Sequence, residues 1–508
     1  MIQRDGALVS LWQDHAQEYE PVATASTGKQ YDVIIAGGGI TGVSTALKLQ
    51  RAGLQCLLLE AHTLCFGTTG GTTAHLNTLM DTPYTTIIKN FGKEKAALVA
   101  QSARQALADI KQNIAEYAIS CGHREADAFL FSQDKSQTKE LEALLEACGE
   151  VGLEAAYTDN IPLSMDFDKA MRVGGQARFS PVQYVHALAA AFEKQGGIIV
   201  QHCRIAAADN TDPVTVTTNR GTYTGGWLVY ATHIPPGISL LNLRCAPYRS
   251  YAMALTLADD RYPDGLVYDM YDPYHYYRTQ EIDGTPYLIA GGKDHKTGHS
   301  ENTNACFLQL EAHLRKHFNI KNITNRWSSQ YFEPADGLPY IGHMPGQPGK
   351  ILVASGYGGN GMTYSTVAAR LLTDIITGVD SPYIDLYNPN RIKPVAGFAN
   401  MVKENADVVK QLVGTLFPKE AIDTLSELAP GEGRVGSYES HRLAVSRDER
   451  QQVHAVNAAC THMKCGVTWN QAEQSWDCPC HGARYDRDGN VLTGPADKGL
   501  EKAGLEEQ

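Results

Sequence analysis

The stretch YDVIIAGGGITGVSTALKLQRAGLQCLLLE, residues 31–60, decides the fold of the larger part of this chain. A run rich in β-branched residues meets a glycine turn, a segment of helical apolar period follows, and a second apolar run ends in Glu60. This is a β–α–β unit. Gly37, Gly39 and Gly42 permit a tight turn and close backbone approach. Ile40 and Thr41 open a helix whose N-terminus attracts a pyrophosphate, and Glu60 lies at the spacing from which a carboxylate accepts hydrogen bonds from a ribose. The motif predicts a dinucleotide site in an α/β, Rossmann-like domain.

Outward from this unit, residues 1–29 are polar and read as an N-terminal arm without chemistry of its own. Residues 84–150, rich in Ala, Lys, Glu and Gln, are expected to be helical. Aromatic, β-rich runs between about 245 and 330 predict an antiparallel, substrate-facing sheet, so the first domain is α/β with an α+β substrate part and spans 30–395. The Pro- and Asn-rich stretch SPYIDLYNPNRIKP (381–394) marks a boundary, residues 396–430 read as a helical linker, and 431–508 as a small all-β domain. At 508 residues the chain exceeds one ordinary core. Its net charge of −12 argues against a nucleic-acid partner, because phosphate binding needs a concentrated excess of Lys and Arg. No apolar run is long enough to span a bilayer, and MIQRDGALVSLW has no basic region followed by an apolar stretch, so a cytoplasmic protein without a transmembrane segment is expected.

Four of the 11 cysteines crowd together near the C-terminus, while the other seven are scattered and read as buried small hydrophobes. Cys460-Thr-His462 and Cys478-Pro-Cys480-His481 offer one Cys-and-His pair each. A structural zinc site favours Cys paired with Cys and His with His, whereas a mixed pair in each loop suits a [2Fe–2S] centre with two thiolates on one iron and two imidazoles on the other. CTHMKC (460–465) and CPCHG (478–482) resemble the two cluster loops of Rieske proteins of the cytochrome bc type. That resemblance implies Cys460, His462, Cys478 and His481 as ligands, a disulfide between Cys465 and Cys480, and Tyr485 as a hydrogen-bond donor to a ligand sulfur. Gly494, Pro495 and Ala496 resemble the loop covering the cluster. Ala483 departs from the pattern, which often has a serine donating to a bridging sulfide, and its absence is expected to lower the cluster potential.

Distant segments indicate which dinucleotide is bound. GTTGGTTAH (67–75), DGLPYIG (336–342) and ILVASGYGGNGMTYSTVAARLLTDIITG (351–378) resemble the D-amino-acid oxidase, sarcosine oxidase and glycine oxidase family. The likeness implies FAD, contacted by Thr68, Thr69, Gly70, Thr73, Ile205, Ala231, Thr232, Gly359, Gly361, Met362 and Thr363. It also implies non-covalent binding, since Gly71 and a cysteine-free closing loop stand at the attachment positions. Many relatives place an arginine before the closing Asp-Gly to clamp a substrate carboxylate. Here the segment is WSSQYF (327–332), with Tyr331 in the arginine's place, so an ordinary α-amino acid in the usual pose is not expected. Tyr251, Tyr276, Arg278 and Tyr331 are the candidate catalytic residues, and His75 follows the Thr-rich loop. The expectation is a flavin dehydrogenase that oxidises a C–H bond next to an amine nitrogen and passes electrons through the cluster to an external one-electron acceptor, a protein or a quinone. The alternatives are a redox-sensing or electron-transfer protein without organic substrate, and an oxygen-using amine oxidase with a structural cluster. No two-His, one-carboxylate set for mononuclear iron is evident in a suitable context.

Overall fold

A computed structural model describes residues 4–347, 349–391, 404–408, 410–412, 428–438 and 441–503. The glycine motif folds as its pattern requires: strand Gln30–Ala36, helix Ile40–Arg51 and strand Cys56–Leu59, the strands pairing in parallel. Gly221–Tyr230 runs parallel on the other edge of Gln30–Ala36, followed by Ile351–Ser355, and Ile198–Val200 closes the far side. Val33, Ile34, Ile35, Leu57 and Leu58 are fully buried, as strands covered on both faces must be.

The second sheet has nine strands and reaches beyond the expected window of 245–330. Cys245–Leu257 pairs antiparallel with both Thr285–Lys296 and Ile320–Pro334, but strands Arg124–Ser132, Lys169–Arg178 and His75–Leu76 extend the same sheet. The helical reading of 84–150 is corrected accordingly. Helices Tyr84–Phe91, Lys93–Glu116 and Lys135–Glu150 are present, yet Arg124–Ser132 between them is a strand, because it has partners on both sides in Lys169–Arg178 and Leu266–Asp269. Sequence composition carries no record of those partners.

The C-terminal unit is all-β: a three-stranded sheet (Gly433–Tyr438, His441–Arg447, Val453–Asn457) and a four-stranded one (Thr468–Asn470, Ser475–Asp477, Arg484–Tyr485, Val491–Thr493), both antiparallel. Residues 404–408 and 410–412 of the expected helical linker are helical, and most of the rest of 396–430 lies outside the described residues. Among the described residues no helix is long and apolar enough to cross a membrane.

The N-terminal arm is not a passive extension. Arg4 Nη1 donates to both Glu473 carboxylate oxygens at 3.0 Å, and Asp5 accepts from Arg484 Nη1 at 2.9 Å. Arg484 also donates through Nε to Asp477 at 3.0 Å, Glu473 accepts from Ser328 N at 2.7 Å, and Arg249 Nη1 donates to Ser328 Oγ at 2.6 Å. Three arginines and three carboxylates thus join the arm, the large sheet and the C-terminal unit, none of them more than 7% exposed. Burial alone would raise the carboxyl of Asp5, yet Arg484, Arg4 and Arg249 outweigh it and hold it below its usual value, and arginines do the same for Glu473 and Asp477.

Arg484→Ala leaves Asp5 and Asp477 buried without their shared cation. It is expected to cost about 3–5 kcal/mol, read as a lowered denaturation midpoint. Because the three carboxyls are depressed in the folded state, their contribution is complete above the ordinary carboxylate range of about 4 and is lost as pH falls below it. An Arg484→Ala protein with an unchanged midpoint at pH 7 would contradict this account of the interface.

Candidate flavin and iron–sulfur site

One continuous cavity runs from the glycine motif to the nine-stranded sheet. Gly37, Gly39, Ile40, Thr41, Glu60, Thr68, Thr69 and Thr73 line it, as do Ile205, Ala231, Thr232, Gly359, Gly361 and Met362. Gly42, Gly70 and Thr363 stand just behind the wall. A Cβ on Gly42 would lie 1.9 Å from the Gly37 carbonyl oxygen, so glycine is required for the turn to close on its helix. Gly70 packs on Gln13, and Thr363 Oγ1 donates to the Asn77 carbonyl at 2.9 Å.

Helices Ile40–Arg51 and Gly361–Thr377 begin at the cavity with no bond from their own N-cap side chains, although the Ile40 N–H donates to Thr69 Oγ1 at 3.0 Å. Their first-turn N–H groups and positive dipole ends suit anionic groups, a pyrophosphate at one and electron-rich flavin carbonyls at the other. Glu60 accepts from Gly38 N at 2.6 Å and His62 N at 2.8 Å, which fixes its carboxylate at the end of the second strand, while burial raises its pKa. This donor set fits FAD.

The sheet end of the cavity carries residues that motif reading missed. Asp294 Oδ2 accepts from Tyr331 OH at 2.9 Å, and its Oδ1 accepts from Ser250 Oγ, which in turn accepts from Tyr276 OH at 2.9 Å. Burial pushes the Asp294 carboxyl up to about 7 and Asp81, which opens onto the same cavity, up to about 6. Tyr268 accepts from Asn77 Nδ2 at 2.8 Å and meets His75 Nδ1 at 2.6 Å, and burial holds His75 neutral. Nothing in the sequence singles out Asp294, which lies in the polar run from Lys293 to Lys296 at the end of its strand; alternation places it on the face of Gly292.

Of the four catalytic candidates, Tyr276 and Tyr331 line the cavity and two do not. Tyr251 is corrected: Ser250 and Ala252 face the cavity, so strand alternation turns Tyr251 to the opposite side, where its hydroxyl meets His295 Nε2 at 2.9 Å beside Phe307. Arg278 is also corrected. It is fully buried outside the cavity wall, with Nη2 on the Phe179 carbonyl at 3.0 Å and its guanidinium 5.1 Å from the Trp12 ring.

In the C-terminal unit the two loops fold as paired turns, with Cys460 N on the Cys465 carbonyl and Cys478 N on the Ala483 carbonyl, each at 2.8 Å. The turns bring the Cys460 and Cys478 thiols within hydrogen-bond reach of each other and set the His462 and His481 rings 5.0 Å apart. All four ring nitrogens of the two histidines are buried and lack hydrogen-bond partners among the described residues. Buried donors left in this state suit coordination, and burial holds His481 at about 4, in the neutral form that a metal requires. Two thiols and two imidazoles of this kind fit a [2Fe–2S] cluster. Cys465 and Cys480 are joined as a disulfide, and Tyr485 OH lies 3.1 Å from Cys460 Sγ. Asp269, His275 and His313 also gather, but the two imidazoles stack 3.9 Å apart and nearly parallel, and His275 Nδ1 is engaged by Asp269. Lone pairs in parallel planes do not converge on one ion.

The two sites adjoin. Leu492 and Thr493, from strand Val491–Thr493, and Gly494, Ala496 and Asp497, from the loop after it, form part of the wall of the same cavity as Gly37 and Glu60. Gly237 N donates to the Pro495 carbonyl at 2.8 Å, and Gln330 Nε2 donates to the carbonyl of Gly482, next to His481, at 2.9 Å.

Comparison with known proteins agrees with both halves. Residues 32–375 match the FAD dependent oxidoreductase model and 420–503 the Rieske [2Fe-2S] domain model. A Bacillus subtilis (strain 168) protein named for a Rieske 2Fe-2S iron–sulfur centre, YhfW, is 32% identical over 94% of each chain. The gamma-glutamylputrescine oxidoreductase of Escherichia coli (strain K12) is 22% identical over 73% of this chain and 89% of its own. The crystal structure of glycine oxidase from Geobacillus kaustophilus superposes with a TM-score of 0.59 at 16% identity, covering 72% of this chain and 99% of that one.

Gly42→Ala is expected to yield protein that retains two irons per chain but loses flavin, because the added methyl meets the Gly37 carbonyl while the cluster loops are untouched. Metal analysis and flavin fluorescence after acid release check this, and full flavin occupancy would contradict the packing argument.

Proposed function

We propose, because the chain belongs to the FAD dependent oxidoreductase family and carries a Rieske [2Fe-2S] domain, that it is a dehydrogenase of amines feeding an external one-electron acceptor. When bound, the flavin accepts a hydride from the carbon next to the nitrogen and the cluster accepts electrons singly, for delivery to a protein or quinone. The observation that carries this reading is the shared wall, in which the 492–497 segment of the cluster domain closes the cavity that begins at Gly37. An oxidase discharging to oxygen needs no such neighbour.

The protein's own residues hold and shield. Cys460 and Cys478 would hold one iron and His462 and His481 the other, with Tyr485 donating to the Cys460 sulfur. Gly361 and Met362 at the helix start would favour negative charge on a bound flavin, and Glu60 would hold the ribose. Gly71, in the cavity lining and against Ser329, has no side chain through which a flavin could be attached, and FAD would be held there without a covalent bond. The Tyr276–Ser250–Asp294–Tyr331 chain orients the substrate end of the cavity.

An anaerobic panel of amines is expected to include compounds that bleach the flavin, which an electron-transfer protein without organic substrate would not permit. A panel leaving the flavin fully oxidised would overturn the dehydrogenase reading. Acid precipitation is expected to release FAD into the supernatant, and a pellet that keeps its flavin would refute non-covalent binding. Ala483→Ser, which adds a hydroxyl beside the cluster, is expected to raise its potential by tens of millivolts in a redox titration. An unchanged potential would count against Ala483 lying at the cluster.

A further inference from the structure

The sheet end of the cavity holds two carboxylates and no fixed cation. Asp294 is satisfied by the neutral hydroxyls of Ser250 and Tyr331, and Asp81 by the Gly359 backbone N–H. Glu333 lies close enough to feel both acids and is itself raised. The arginine in the cavity lining, Arg204, belongs to the opposite end, where it contacts His62 Nε2 and the Val491 carbonyl. Arg278, outside the lining and on Trp12, acts on His75 and Tyr268, but no arginine is among the groups that act on Asp294 or Asp81.

Four tyrosines face the space around the two acids. Tyr274 lies 5.8 Å from Tyr276 and 6.5 Å from Tyr268, ring centre to ring centre, and Tyr331 closes the side next to Asp294. Aromatic faces attract cations, and desolvation strengthens the effect. An anionic ligand would add negative charge beside two buried acids whose charged forms are already disfavoured, whereas a cation would favour those charged forms and offset one of them.

We infer that the substrate is a cationic amine with no carboxylate at its reacting end, its ammonium held by Asp294 and Asp81 within the ring formed by Tyr268, Tyr274, Tyr276 and Tyr331. This rests on the amine-dehydrogenase reading and narrows it to a substrate class. Tyr331–Asp294 stands where an arginine would otherwise receive a carboxylate, so the anchoring polarity of the pocket is reversed.

The test is binding rather than turnover. The full-length, flavin- and cluster-loaded protein is titrated anaerobically with n-butylammonium chloride and with sodium butyrate, the same carbon chain with the opposite charge, by calorimetry and by perturbation of the flavin absorbance. Saturable binding of butylammonium and none of butyrate is expected. Asp294→Asn and Asp81→Asn, checked for unchanged flavin and iron content, are each expected to weaken butylammonium about ten- to a hundredfold, the usual loss for a hydrogen bond to a charged group. Tyr251→Phe, on the far face of the sheet, is expected to leave the affinity unchanged. Butyrate binding as tightly as butylammonium, no saturable butylammonium binding, or unaltered affinity in both carboxylate variants would overturn the inference. Butylammonium binding in a protein whose flavin no amine bleaches would support this pocket chemistry while removing the dehydrogenase reading. Bleaching by carboxylated amines that is indifferent to Asp294→Asn would do the reverse.

Discussion

The placement of the cluster domain against the flavin domain depends on six buried charges. Arg4, Arg249 and Arg484 face Asp5, Glu473 and Asp477 in a neutral, hydrogen-bonded network between the flavin domain and the cluster domain. Desolvating an ion costs several kcal/mol, and paired burial often no more than offsets it, so such a network is better understood as fixing geometry than as adding stability. Its members sit next to the chemistry on both sides. Asp477 precedes Cys478, and Arg484 follows Ala483. Arg249 precedes Ser250, and Ser328 is three residues from Tyr331. A shift of either domain would strand several charges at once, so one relative placement is enforced.

That placement explains details that look incidental in isolation. Gly482 adopts φ +73°, and a Cβ there would lie 2.6 Å from Pro247 Cβ, so the cluster turn presses directly on the large sheet. The carbonyl of Gly482 then receives Gln330, whose neighbours Ser329 and Tyr331 line the cavity. Cluster loop, interface and cavity wall are therefore close neighbours along the same few segments, which sets the cluster turn against the wall of the flavin cavity.

Local chemistry was legible in the sequence and assembly was not. The β–α–β motif and the two Cys-and-His loops are read from residues within a few positions of one another, and the cavity is lined by most of the expected glycines and threonines, with Gly42, Gly70 and Thr363 outside the lining. Nothing in the sequence assigns Tyr251 a face, because which side of a strand meets the cavity depends on its register with distant partners. Arg124–Ser132 was read as helix because its strand partners lie about 40 and 140 residues away. Arg4 and Asp5 gave no sign of their role, since the value of a charge in a polar arm is set by burial against residues more than 460 positions distant. Asp294 shows the same limit: it lies in the polar end of its strand beside Lys293 and His295, and enclosure and the nearby Asp81 raise its carboxyl against the hydrogen bonds from Ser250 and Tyr331, which lower it.

The central claim is that the two cofactors form one route out of the amine site. Rapid mixing of the anaerobic protein with an amine that bleaches its flavin, followed by freeze-quench electron paramagnetic resonance, tests it directly. The account predicts that a reduced Rieske signal grows in after flavin bleaching and within the same turnover, with no added mediator. Flavin that bleaches and then reoxidises with oxygen while the cluster stays silent throughout would contradict it.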